Sequence, residues 1–287
     1  MSESNEATSG PTSVAGVVDD DRLVDDASEE TDRPDGETPV RRRRRSDSSR
    51  PRRTWRQGGT SVRRWGWELL GWAVLALGAG VLGATLVAEL VSGTMGTLLS
   101  QVGLWLAFAV PVVLAFTRSR PRGLLRFRPV DLLFALVLGG MLRLIQGWLE
   151  VRAGGSGAWP SYPSIGGSLP SSWFFDAFLT SVVIGPVLEE FFFRGLVLVA
   201  LYTAVRRIAG REVAMFASAI VSSALFVVAH ALLAPLAWDA VVSLALVGLV
   251  ASLLVLLTGR LWAAVLTHVV YNGLWVALAT VGTLLSA

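Results

Sequence analysis

The sequence predicts an all-α protein: a polytopic transmembrane helical bundle with a disordered N-terminal tail. Three observations predict it. Of 287 residues, 53% are hydrophobic, too many for an ordinary soluble domain. Several apolar runs reach the roughly twenty residues a helix needs to cross a bilayer. Charge is concentrated at one end: residues 1–40 hold twelve acidic residues and two arginines, and residues 41–64 hold eleven arginines and one acid, Asp47. The chain has no cysteine, which excludes a disulfide framework and a thiol nucleophile. All 25 basic residues are arginine, which reads as genome composition rather than function.

Residues 1–62 form the tail. They are rich in Ser, Asp, Glu, Gly, Pro and Arg, and bury too little apolar surface to offset the entropy of ordering. The first apolar run starts near Trp65, too late and too long for a cleaved signal peptide. The run Arg41–Arg45, with Arg50, Arg52, Arg53, Arg56, Arg63 and Arg64, is expected to anchor the cytoplasmic side on anionic lipid. Only Trp55 interleaves these arginines, so no nucleic-acid partner is expected.

Residues 63–287 form the membrane domain. Candidate spans are 66–92, 101–117, 131–150, 172–207, 213–235, 238–258 and 261–284, giving seven crossings. Gly185-Pro186 lies inside the long 172–207 stretch, so that stretch is one kinked helix or a re-entrant piece before a full span, which would give eight. With one crossing there, the tail, Arg118–Arg128, Arg206–Arg211 and Arg260 all fall on one side, and the uncharged loop 153–171 on the other. The expected localisation is therefore the cell membrane, multi-pass, with a cytoplasmic N-terminus.

Ionisable groups at membrane depth are costly, so three patches stand out. In Glu189-Glu190-Phe-Phe-Phe-Arg194, the spacing of four puts Glu190 and Arg194 on one helical face, where they can pair. Glu189 is left without that partner, and a buried carboxyl can serve as a general base. The second patch is Phe226-Val-Val-Ala-His230. The third is His268-Val-Val-Tyr-Asn272, two neutral donors on one face that can hold a developing oxyanion. Taken singly, each patch also fits structural packing or interhelical hydrogen bonding. Together they supply a base, an assisting histidine and a donor pair for water attack on an amide. No zinc-protease His-Glu-x-x-His, aspartyl Gly-x-Gly-Asp, P-loop or dinucleotide fingerprint is present.

At these residues the sequence resembles the CPBP intramembrane proteases, also called the type II CAAX prenyl endopeptidase or lysostaphin-resistance-like family. Its pattern of Glu-Glu-x-x-x-Arg, Phe-x-x-x-His and His-x-x-x-Asn is met in order by Glu189–Arg194, Phe226–His230 and His268–Asn272. The resemblance covers a motif-bearing core of 172–284. It implies an endopeptidase acting on a membrane-anchored or lipidated peptide within the lipid bilayer. Glu189 and His230 would activate water, and His268 and Asn272 would stabilise the oxyanion. Glu190 and Arg194 would orient the site, with Phe226 packed against it. No cofactor is expected, because pairing His268 with Asn272 suits a donor role. The alternative is zinc, held by the two histidines and a glutamate. Two other classes compete: a non-proteolytic membrane immunity or scaffold protein of the same fold, and a small proton-coupled transporter.

Overall fold

The computed structural model describes residues 53–163 and 168–285. The acidic segment 1–40 and the run Arg41–Arg45 lie outside the described residues. All regular elements among the described residues are helical. The long ones are α1 (Trp67–Leu90), α2 (Gly93–Arg118), α3 (Val130–Arg152), α4 (Phe174–Leu233), α5 (Trp238–Thr258) and α6 (Trp262–Leu285). These six are long and apolar enough to cross a membrane.

The described elements number one fewer than the seven spans expected, or two fewer than eight. The stretches 172–207 and 213–235 belong to the single sixty-residue element α4. A straight helix of that length would run about 90 Å, three times the hydrocarbon thickness of a bilayer. Instead α4 folds back at Gly210, where φ is +82° and ψ is −179°. Ser222 Oγ donates to the Phe193 carbonyl at 2.9 Å, although a straight helix would hold these residues about 44 Å apart.

Only glycine adopts such backbone angles without strain. A Cβ at Gly210 would meet no atom within 4 Å, so the cost of Gly210→Ala is purely conformational. We expect that substitution to lower stability by about 1–3 kcal/mol in a thermal melt of the detergent-solubilised protein, with no change at the site.

The first arm of α4 is not a regular α-helix. Phe174–Ile184 and Phe191–Val197 are wound as π-helix, separated by the α-helical turn Gly185–Glu190. Such wider turns are frequent at functional sites. Ser222 adds a second donor to the Phe193 carbonyl, which already accepts from the Leu198 N–H.

The arginine-bearing segments gather at one end of the bundle. Residues 53–66 form two 3₁₀ turns that plug this end, with Trp55 and Val62 each 1% exposed. The packed chain thus begins before residue 62, where the tail was expected to stop. Trp55 donates its indole N–H to the Gly259 carbonyl, and Arg56 donates to the Leu256 and Leu257 carbonyls at the end of α5. Arg207 donates to the Val62 and Arg63 carbonyls. At the same end, buried Asp131 accepts two hydrogen bonds from Arg260, tying the start of α3 to the turn between α5 and α6.

Candidate active site

A cluster of buried ionisable side chains lies within the bundle where α4 and α6 meet. There the spacing read from the sequence becomes contact. Glu190 and Arg194 form an ion pair at 3.0 Å, and both side chains are fully buried. Glu190 Oε1 also lies 3.0 Å from His268 Nδ1 on α6. A carboxylate paired with a guanidinium can only accept here, so Nδ1 carries the hydrogen and donates. That choice leaves Nε2 as the nitrogen facing Glu189, whose Oε2 is 4.0 Å away. The Glu189 side chain is 20% exposed, against 0% for Glu190. Adjacent carboxylates thus occupy different surroundings: one locked and dry, one within reach of water.

Phe226 joins the two arms of α4 to α6. Its fully buried ring lies 5.3 Å from Phe193, 4.5 Å from His230 and 5.7 Å from His268, centre to centre. The Arg194 guanidinium carbon sits 4.5 Å from the centre of the same ring, a cation–π contact in a desolvated place. His230 is half-buried, and its Nδ1 donates to the Phe226 carbonyl at 2.9 Å, which leaves Nε2 as the acceptor. The fold-back at Gly210 thereby sets Phe226, one turn before His230, against Phe193, although the two phenylalanines are far apart in sequence.

Asn272 stands one turn beyond His268 on α6. Its amide donates to the Ser181 carbonyl, in the first π-helical stretch, at 2.8 Å. A side-chain amide has two N–H groups, so one remains for another acceptor. Six of the seven sequence-predicted residues, Glu189, Glu190, Arg194, Phe226, His230 and His268, are thus linked through direct contacts. The seventh, Asn272, is attached to the same two elements one turn away.

Zinc would need at least a third donor beside Glu189 and His268. Among the described residues, no three His, Cys, Asp or Glu side chains are grouped so as to hold a metal ion.

Two supporting features were missed in the sequence. Arg143, only 9% exposed within α3, donates from Nε and Nη2 to the Tyr271 carbonyl at 3.0 and 2.7 Å. Its guanidinium also stacks 3.8 Å from the Tyr271 ring centre and donates to Gln146. It clamps α6 between His268 and Asn272, at the residue next to Asn272. An arginine inside an apolar span was the available signal, since such residues are rare and functional by default. Gly248 of α5 is the second. A Cβ there would lie 3.2 Å from Arg194 Nη2 and 3.1 Å from Ser223 Cβ. Gly248→Val is expected to push Arg194 off Glu190 and cost about 1–3 kcal/mol, read as a fall in the melting temperature.

These observations define a class: an all-helical membrane protein with a carboxylate–arginine–imidazole cluster at a helix junction. Residues 171–274 match the family model described as type II CAAX prenyl endopeptidase Rce1-like. The match takes in all seven residues of the three motifs and bears out the resemblance they carry. That family is one of CAAX proteases, and the six apolar helices make the chain a multi-pass membrane protein. No curated protein and no solved structure matches the chain.

Proposed function

We propose that the protein is an intramembrane endopeptidase that hydrolyses a peptide bond of a membrane-anchored or lipidated substrate, using Glu189 as general base and no metal. The observation that supports this best is the unequal pair of carboxylates. Glu190 is committed to Arg194 and His268, while Glu189 is open to water and faces an imidazole nitrogen.

In this reading a water beside Glu189 attacks the scissile carbonyl. Glu189 takes its proton and later passes it to the leaving amine. His230, held by the Phe226 carbonyl, presents Nε2 as a second acceptor for that water. The spare N–H of Asn272 stabilises the oxyanion, joined by His268 when its Nε2 also carries a hydrogen. The arginine end of the bundle faces the cytoplasm, because unneutralised arginines are retained there.

A second assignment for His268 has its own support. With Nδ1–H given to Glu190, the neutral imidazole offers a lone pair at Nε2, 4.0 Å from Glu189 Oε2. A single water donating to two acceptors at ordinary hydrogen-bond lengths spans about 4.4 Å between them. The gap is close to what one shared water requires, and His268 would then help activate it.

Cleavage of a lipidated peptide in proteoliposomes tests the reading. Asn272→Ala and His230→Ala should each lower kcat by about 10²-fold or more with the fold intact, and chelators should have no effect. Chelator inactivation reversed by zinc would replace the glutamate mechanism with a metal one. His268→Gln, which keeps an N–H donor but cannot accept a proton, separates the two assignments. Activity kept within about tenfold indicates the oxyanion role, and a loss equal to that of His230→Ala indicates water activation.

A further inference from the structure

The largest cavity described lies away from the glutamates, at the arginine end. Its volume is about 1140 Å³, and four exposed arginines line it: Arg53, Arg120, Arg122 and Arg126. No carboxylate among the described residues lines it. None of the four guanidiniums has a hydrogen-bonded or ion-paired partner among the described residues. Their neighbours do find partners: Arg118 reaches Glu68, and Arg260 reaches Asp131. Four converging positive charges repel one another and recruit an anion, and the planar donor fork of arginine suits phosphate oxygens.

This cavity has an apolar extension. A second cavity of about 390 Å³ shares Arg120 and Leu125 with the first. From there it runs between α2 and the α4 turn, lined by Phe108, Val112, Phe116, Val187, Leu188 and Phe191. The sequence order explains the polarity. Arg120 and Leu125 sit just beyond the end of α2, where the chain leaves the apolar layer, while Phe108–Phe116 lie within that helix. A basic bowl at helix-end level opening into a greasy groove along the helix is the negative image of one kind of molecule.

We propose that this composite site holds an anionic phospholipid. The phosphate sits among Arg53, Arg120, Arg122 and Arg126, and one acyl chain lies in the groove between α2 and Val187–Phe191. The site uses none of Arg41–Arg45 and is independent of peptidase activity. It does have a bearing on the catalytic region. The chain would pack against Val187, Leu188 and Phe191, which flank Glu189 and Glu190 in sequence.

The test reads binding by mass, so it stands or falls independently of proteolysis. The full chain is equilibrated in dodecyl maltoside micelles with equal amounts of phosphatidylglycerol and phosphatidylcholine of the same chains, and analysed by native mass spectrometry. Phosphatidylglycerol should be retained about tenfold over phosphatidylcholine, and Arg120→Ala/Arg122→Ala should remove that preference. Arg63→Ala/Arg64→Ala, which removes the same charge from exposed arginines outside the cavity, should change retention by less than about twofold. Ala109→Phe, which fills the groove and leaves every arginine in place, should lower phosphatidylglycerol retention about fivefold.

Several results overturn the proposal. Equal retention of the two lipids does so, because the bowl is then unselective or occupied by the chain's own acidic residues. An equal loss in both arginine pairs reduces the effect to general surface charge. Unchanged binding in Ala109→Phe removes the acyl chain from the groove. Displacement of the lipid by glycerol phosphate assigns the arginines to a soluble phosphate compound instead.

Discussion

Replacing Glu189 with glutamine is expected to lower peptide hydrolysis by about 10²–10⁴-fold while leaving the melting temperature nearly unchanged. The amide keeps the shape and the hydrogen-bonding capacity of the side chain but cannot take a proton from water. Stability should hold because Glu189 is partly exposed and His268 Nε2, at 4.0 Å, is too far for a direct hydrogen bond. The measurement is single-turnover cleavage of a lipidated fluorogenic peptide in proteoliposomes, set beside a melt in the same detergent. A variant that cleaves at the wild-type rate would remove Glu189 from the chemistry. A variant that unfolds would place it in the scaffold.

Arg194→Ala is expected to show the reverse order of effects, with stability failing first. Removing the guanidinium leaves Glu190 charged, fully buried and held only by His268. Breaking a buried pair in this way costs about 3–5 kcal/mol, because the surviving charge is uncompensated. The double variant Glu190→Leu/Arg194→Met should recover most of that loss, since a buried pair is often little better than apolar residues of similar volume. It should nevertheless stay inactive, because His268 then lacks the acceptor that fixes its Nδ1 hydrogen. Denaturation midpoints for the single and double variants check the stability terms, and the cleavage assay checks the last. An active double variant would show that the pair serves folding alone.

Much of the site was legible in the sequence because its contacts are made at helical spacing. Glu190–Arg194 and Phe226–His230 are four residues apart within one helical element, so periodicity alone places each pair on one face. The scarcity of charge inside apolar runs then singled out His268 and Asn272. What periodicity does not carry is the partner across the bundle. That Glu190, and not Asn272, would fix the His268 ring depends on how α4 meets α6. Arg143 was passed over because it bonds to a backbone carbonyl, which has no sequence signature. Trp55 was assigned to the tail because a single buried indole in a polar stretch gives no pattern. The span count differed because the sequence shows two apolar stretches parted by Gly210-Arg211, whereas the backbone stays helical on both sides of one rotated residue.

The reversal at Gly210 also sets an order of assembly. The Glu190–Arg194 segment and the Phe226–His230 segment lie in neighbouring stretches of chain, so their meeting requires closure of a short loop, and the loop-entropy cost is small. His268 sits in the last long helix described. During synthesis, the arm with the carboxylates can enter the bilayer already clasped to its phenylalanine while the imidazole at Glu190 is still to come. The Glu190–His268 contact is then completed only after α6 has been made, so a chain halted before that helix lacks the imidazole that Glu190 holds.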